Sequence, residues 1–548
     1  MSRVRFIFVF SLIAVLSSCD GDSADDPVMI PPAPLVSGTF VGPVEGLRYE
    51  TASTDGMTDA TGAFEYRDGE NVRFYVGDIL LGEVAGGSEI SVLDLAGIES
   101  PPVTAREVRA VVNQIESFKL ATPFEVAANI ASFLYTVDDD ADAGNGIRIS
   151  SDLHDLAVGR SINFMLTYDK FPEQFPLMKL LGEAHLYDIF VADRPLRNAG
   201  FAMDQLYQHV LGVQPQIDVV VETQTDEGND GVIDSIEKIV YDLGGYLTEE
   251  SVDHDNDGVV DVMQRNSYEQ VSGNILKHES MSHIGPKISI NYSYDARGLR
   301  TQEEFDQYAD DTFDEVIGYT YNEYGQPLLK MIDSDLDGHA DYQTTYVYDL
   351  HGNQIGANHD HDNNGAVDSR VVYTFDSNGC MTSKNHYSEP GSVLGSHYRA
   401  TCNEQGWITS EASDALGNGD DYRYYVEYAE NGQPSRLSVD GEFADGVIDY
   451  HRVYTYNDDG YLVKQVVEDA ATGDVTSISK YTRDALGNIV SYSFDANNDG
   501  VPEQSYERSY DLDGAARSQL TDSDGDGAVD VREVYTLAQG SQWPMVLR

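Results

Sequence analysis

The chain has 548 residues, 41% of them hydrophobic, so it is long enough for two or three domains, and 94 acidic against 34 basic residues leave a net charge of −60. Such a balance repels nucleic acid and anionic lipid headgroups and makes cations the natural partners. With 35 Tyr and 19 Phe the sequence also carries too much apolar surface for a disordered chain, so the acidity reflects solubility, salty surroundings or cation binding, and only the clustering of the acids separates these.

Arg3 and Arg5 precede an apolar run, Phe6 to Leu16, that is too short to span a bilayer and reads as an export signal. Leu16-Ser17-Ser18-Cys19 follows. This arrangement resembles the lipobox of bacterial lipoproteins. The resemblance implies cleavage before Cys19, lipidation of its thiol, and a mature protein held by a lipid anchor in the bacterial cell envelope, facing the periplasm or the exterior. Asp20 resembles an inner-membrane retention signal, but that rule differs between lineages, so inner and outer membrane both stay open. Residues 1–19 are thus the signal and lipobox, and the Asp- then Pro-rich stretch 20–36 is a flexible stalk.

Residues 37–103 alternate apolar and polar positions between Gly-rich turns, as in Gly62-Ala63-Phe64-Glu65-Tyr66, and predict a small β-domain. Over 104–212 the period becomes helical. Thr104-x-x-Glu107 and Thr122-Pro123-x-Glu125 are capping boxes opening two helices, and the stretches Leu177–Val191 and Pro195–Leu211 predict two more. Between these pairs lies the acidic stretch Asp138-Asp139-Asp140-Ala141-Asp142, which either holds a cation or is simply solvated.

From Asp226 to the end (226–548) the sequence repeats at about 27 residues. Acidic loops start at Asp226, Asp253, Asp306, Asp333, Asp360, Asp495 and Asp522, and 226 to 253, 306 to 333 and 495 to 522 are each 27 apart. Degenerate copies fill the gaps and bring the count to 12 units. Each unit opens with D-x-D-x-D-G-x-x-D, runs through an alternating stretch such as Tyr342-Gln-Thr344-Thr-Tyr346-Val-Tyr348, turns at Tyr-Asp-x-x-Gly and returns. Two strands per unit predict a hairpin meander with acidic loops on one edge and Tyr-Asp turns on the other. Sheets of more than about ten strands curl, so the expectation is a coiled or spiral ribbon. The overall class is mainly β with a helical domain.

The turns Tyr241-Asp242, Tyr294-Asp295, Tyr348-Asp349 and Tyr510-Asp511 make the array resemble the YD-repeat (Rhs-like) family, whose strands form long spiralling β-hairpin sheets. The acidic loops depart from that family's usual pattern, which counts against a closed toxin-holding shell.

Calcium is a hard cation that takes six to eight oxygens, and a short loop converges several carboxylates on it only where the backbone bends sharply, as a mid-loop Gly permits. Asp253, Asp255, Asp257 and Asp261 meet this pattern, as do Asp333, Asp335, Asp337 and Asp341, and Asp522, Asp524, Asp526 and Asp530. Asp360, Asp362, Asn364 and Asp368, and Asp495, Asn497, Asp499 and Glu503, keep four oxygen side chains each. Asp226, Asp230 and Asp234 form a partial copy. The loops resemble the first nine positions of an EF-hand loop, and Glu533 stands at the twelfth position of the last copy. Most copies lack that bidentate ligand, so affinities of about 10⁻⁴ to 10⁻³ M are expected. The competing reading is that Asp, Asn and Gly merely make good turns.

In the meander, the register that pairs loop-flanking positions also sets Cys380 opposite Cys402 on neighbouring strands, which predicts a disulfide. The sequence shows no phosphate loop, G-x-S-x-G, H-E-x-x-H or paired zinc cysteines. Ser235-x-x-Lys238 and Ser477-x-x-Lys480 fall on predicted strands rather than the helix that acylase chemistry uses. The expectation is therefore a non-enzymatic surface protein, adhesive or structural, with calcium as its cofactor and the membrane met only through the anchor. Its ligand, a surface glycan or a protein, is not legible. The alternative is an accessory protein that binds a carbohydrate or a partner protein through 37–212, with the repeats as spacer.

Overall fold

The computed structural model describes residues 33–541 apart from positions 118–119, 193, 243, 284, 286, 309, 311, 416–418 and 442–443. The signal, Cys19 and most of the 20–36 stalk lie outside the described residues.

The N-terminal part begins with short strands whose alternation sorts one face into a core. Asn71–Val76 buries Val72, Phe74 and Val76 and exposes Asn71 and Arg73. It sits in a four-stranded sheet between Arg48–Glu50 and Ile79–Ala85, and Leu35–Phe40 lies in a second sheet between Ala63–Arg67 and Glu89–Ile90. Both capping boxes form. Thr104 and Glu107 exchange hydrogen bonds at the start of helix Ala105–Ser117, and Thr122 and Glu125 do so at the start of Pro123–Val137. Helices Phe175–Leu186 and Ala199–Leu211, with the short Val92–Leu95 and Ser151–Leu156, complete the set of described α-helices, and one hydrophobic core runs from Phe40 through the helices to Ile217. Among the described residues no helix is long and apolar enough to cross a membrane.

From residue 216 the chain is one antiparallel sheet of 24 strands paired in sequence order. The expected ribbon is corrected here, because the sheet has no free edges. Its first strand, Gln216–Glu227, pairs with its last, Val531–Ser541, from Gln216↔Ser541 to Glu227↔Val531. Closure removes the two rows of unpaired amides and carbonyls that an open ribbon would expose. At about 4.8 Å per strand the circumference is roughly 115 Å, giving a ring about 37 Å across, wider with strand tilt.

Alternation along the strands sorts the two faces of the ring. In Tyr342–Tyr348, Thr344 is buried and Tyr346 and Tyr348 are half-buried, whereas Val347 is exposed. Curvature crowds the inner face, so the tyrosines line the lumen. The outer face carries charge, as in the cross-strand pair Arg265–Glu249 (2.7 Å) and the exposed Lys238.

Most hairpin turns are built by an aspartate or asparagine. The Asp349 carboxylate accepts the amides of His351 (2.8 Å) and Asn353 (2.9 Å), while Gly352, at φ +87, takes the left-handed step. The preceding tyrosine ties neighbouring hairpins together. Tyr294 donates to the carbonyl of Ile275 (2.7 Å), Tyr456 to Pro434 (2.8 Å) and Tyr510 to Ile489 (2.9 Å). Cys380 and Cys402 are joined by a disulfide, three residues along the register that pairs Ser383 with Arg399.

The N-terminal part docks on this turn rim. Asn198 caps helix Ala199–Leu211 through Phe201 N (2.8 Å) and also donates to the carbonyl of Val271 (2.7 Å). Asn113 donates to Leu486 O (2.7 Å), Arg106 to Leu512 O (2.7 Å) and Arg109 to Asp218 O (2.9 Å). Gly182 brings its helix so close to the turn at Glu323 that a Cβ there would overlap the Glu323 carbonyl oxygen. These contacts are spread around the ring and cover one mouth of the barrel, while the acidic loops form the other rim.

Candidate metal centre

The acidic loops share one backbone path. In the Asp253 copy the first aspartate accepts the amides of Asp257 (3.2 Å) and Gly258 (2.9 Å), and the ninth-position Asp261 reaches back to accept His254 N (2.7 Å). These bonds pull positions one and nine together. Two left-handed residues make the bend, Asn256 at φ +52 and Gly258 at φ +86. The fourth-position bend is a feature that the acidic spacing alone does not reveal. There Asn256 donates to the carbonyl of Ile233 (2.8 Å), and Asn363 repeats the bond to Ala340 (2.6 Å), lacing each loop to its neighbour. Asn recurring at position four was the available signal, since Asn tolerates the left-handed region.

The result is convergence at positions one, three and nine. Carboxylate oxygens from Asp253, Asp255 and Asp261 lie within 4.8 Å of one another, and the same holds for Asp333, Asp335 and Asp341, for Asp360, Asp362 and Asp368, and for Asp522, Asp524 and Asp530. The position-five side chains each accept a backbone amide of the turn. Asp257 accepts Val259 N (2.8 Å), Asp337 accepts His339 N (2.8 Å), Asn364 accepts Ala366 N (2.8 Å) and Asp526 accepts Ala528 N (2.7 Å). Such a loop offers three carboxylates on one side, with room for carbonyl or water oxygens to complete the shell of a hard cation.

The remaining candidates are placed differently. Asp226 and Asp234 close the first loop through Gly231 N (3.0 Å) and Glu227 N (2.6 Å), Asp230 accepts Val232 N (2.9 Å), and Gly228 leaves position three without a carboxylate. In the Asp495 copy, Asp495 accepts Gly500 N (3.0 Å), Asp499 accepts Val501 N (2.9 Å), and Glu503 is bonded by the Asn497 amide (2.6 Å). Glu533 lies in the last strand, where the Tyr535 hydroxyl donates to it (3.0 Å).

Charge compensation distinguishes the triads from their degenerate copies. Among the described residues no Lys or Arg forms an ion pair with any of the twelve triad carboxylates. In the copy that opens at Asp414, by contrast, Asp420 is gripped by Arg399 and by Arg423 (2.6 Å), and Arg423 also reaches Asp440 at 3.9 Å. One oxygen of Asp333 is buried without a hydrogen-bond partner. Burial pushes the Asp360 carboxyl up, but the Gly365 amide, the Gln343 side chain and the Asn364 amide hold it below the ordinary carboxylate range. The Ser523 hydroxyl and amide do the same for Asp530.

A fifth convergence lies outside the barrel, at Asp138, Asp139 and Asp140 after helix Pro123–Val137. Asp138 is 1% exposed, and burial pushes its carboxyl up to about 6.

No family model matches the sequence, and no curated protein matches it. Among solved structures, the chain overlaps a crystal structure of TcdB2-TccC3-TEV at 13% identity and a TM-score of 0.27, over 56% of this chain and 19% of that one. It overlaps a Tc holotoxin pore of Photorhabdus luminescens at 12% identity and 0.20, over 53% and 22%. A porin-like protein from Bacteroides uniformis overlaps at 10% identity and 0.17, over 58% and 98%. The chain spans about a fifth of the length of the two toxin chains. With scores of this size, the fold rests on the strand pairing of the chain itself.

Proposed function

We propose that this chain is a non-enzymatic, lipid-anchored protein of the bacterial cell envelope, a rigid barrel whose loop rim is stiffened by calcium and serves adhesion or envelope architecture. The observation that carries this reading is the gathering of three carboxylates in each of four rim loops with no basic partner beside them. Carboxylates held that close repel one another unless a cation sits between them, and the donors are all oxygen, as calcium prefers. The outer face supports contact with the membrane through the Cys19 anchor alone. Lys238, Glu249 and Arg265 project outward, and a Lys or Arg facing lipid at mid-depth would cost about 2–4 kcal/mol. The turn rim is occupied by the N-terminal part, which leaves the loop rim as the surface offered to a glycan or protein ligand.

Melting curves of the full chain in millimolar calcium and in chelator test the cation. Calcium should raise the melting temperature by more than about 5 °C, since a ligand that binds only the folded state adds stability. Equal curves would reduce the aspartates to turn residues. For the anchor, Cys19→Ser should move the protein from the detergent phase to the aqueous phase, and an unchanged partition would remove lipidation from the reading.

A further inference from the structure

We propose that the loop Asp138–Arg148 is a separate binding site for a hard divalent cation of the calcium class, independent of the barrel loops and built into the N-terminal core. Asp138 ends helix Pro123–Val137 and is 1% exposed, with one carboxylate oxygen accepting Arg148 N (2.9 Å) and the other buried with no hydrogen-bond partner. One oxygen of Asp139 is likewise buried and unpartnered, while its second pairs with Arg148 at 2.5 Å. Asp140 completes the group, and one carboxylate oxygen from each of the three lies within 4.8 Å of the others.

Electrostatics makes this a poor place for three acids alone. The C-terminus of a helix presents the negative end of its dipole, and helix Pro123–Val137 has no basic residue in its last turn. Arg194, 5% exposed, donates to the backbone carbonyls of Asp138 and Asp139, the latter at 3.0 Å. Two buried oxygens without partners at the negative end of a dipole are what a bound cation would satisfy. The donor set holds neither His nor Cys, so the fit is to a hard, oxygen-loving ion rather than to zinc or copper.

The loop is shaped for the task. Ala141 takes a left-handed conformation at φ +63 and Gly146 one at φ +98, and Asp140 is held in place by Asp142 N (2.9 Å) and the Asn145 side chain (2.9 Å). Beyond the loop, Ile147–Arg148 pairs in parallel with Val44–Glu45. A cation here would clamp the end of the helix to the strand that joins it to the N-terminal strands.

Calcium itself is the probe, measured by equilibrium dialysis on the full chain. In a rim-silent variant carrying Asp226→Asn, Asp255→Asn, Asp335→Asn, Asp362→Asn, Asp495→Asn and Asp524→Asn, one calcium per chain should remain, and adding Asp138→Asn should remove it. No calcium on the rim-silent chain, or calcium that survives Asp138→Asn, overturns the site, whereas failure of the rim reading alone leaves that one calcium on the wild type. A second measurement uses the rim-silent chain, in which rim calcium gives no protection. Trypsin cleavage after Arg148, whose side chain is 58% exposed, should slow at least tenfold in calcium relative to chelator, and an unchanged rate overturns the proposal.

Discussion

The two rims of the barrel are made from the same repeat and rich in the same residue, yet aspartate does opposite work on them. On the turn rim the turn-opening aspartates bond to their own backbone. Asp349 and Asp511 both accept the amides two and four residues on, and Asp511 also meets Arg517 at 2.6 Å. In four loops of the opposite rim the hydrogen bonds hold three carboxylates facing one another, with no Lys or Arg ion-paired to them among the described residues. The lesson is that counting acids says little. What matters is whether the local hydrogen bonds use up their oxygens or aim them at a shared point.

The comparison is sharpened most by separating a converging aspartate from a turn-making one within a single loop. Asp255→Asn should cut the calcium-induced stabilisation by up to ~2.7 kcal/mol in about 10 mM calcium, a hundredfold excess over a Kd of about 10⁻⁴ M. Asp257→Ala should cost about 1 kcal/mol in calcium and in chelator alike, because it removes only the acceptor for Val259 N. Paired melting curves read both, and matching calcium dependence in the two variants would break the distinction.

Next in size is the docked mouth. Gly182→Val drives a side chain into the Glu323 carbonyl and should destabilise the protein by ~1–3 kcal/mol, seen in denaturant melts and in faster hydrogen exchange at the turns under the helix. On the turn rim itself, Asp349→Ala and Asp511→Ala should each cost ~1–2 kcal/mol, measured the same way.

Acid probes the same carboxylates. Burial pushes Asp349 up, but the Asn353 side chain and amide outweigh it, and Asp511 is held low against burial chiefly by the Ala515 amide, so both sit below their ordinary value when folded. Their stabilisation is therefore present above the unfolded pKa of about 3.9 and lost as pH falls through the lower folded value. Melting temperatures taken from pH 5 down to pH 3 should fall further in the wild type than in the Asp349→Asn, Asp511→Asn double variant.

The smallest expected effect is a gain. Leu336 occupies the left-handed fourth position at φ +58, where the copies opening at Asp226, Asp253, Asp360 and Asp495 use Asn, so Leu336→Asn should stabilise by ~0.5–1 kcal/mol in a melt.

Much of this architecture could be read along the chain because it is local. The capping boxes at Thr104 and Thr122, the alternation in Tyr342–Tyr348, the aspartate turns and the Cys380–Cys402 register all depend on residues within one hairpin or one helical turn. The acidic spacing likewise pointed to positions one, three, five and nine, and the structure gathers one, three and nine in four loops. It could not show that position five turns to the backbone, because that depends on a bend at position four rather than on the acids.

The sequence by itself determined the period, the order of strand pairing and the sorting of loops and turns to opposite rims, since each follows from a repeat that folds back on its neighbour. Only the tertiary structure decided that the ribbon closes into a ring, that Gln216–Glu227 is the strand completing it, and that the helices cover the turn rim. Closure depends on twist accumulated over 24 strands, and docking on groups such as Asn113 and Leu486 that lie 373 residues apart. No window of sequence contains either.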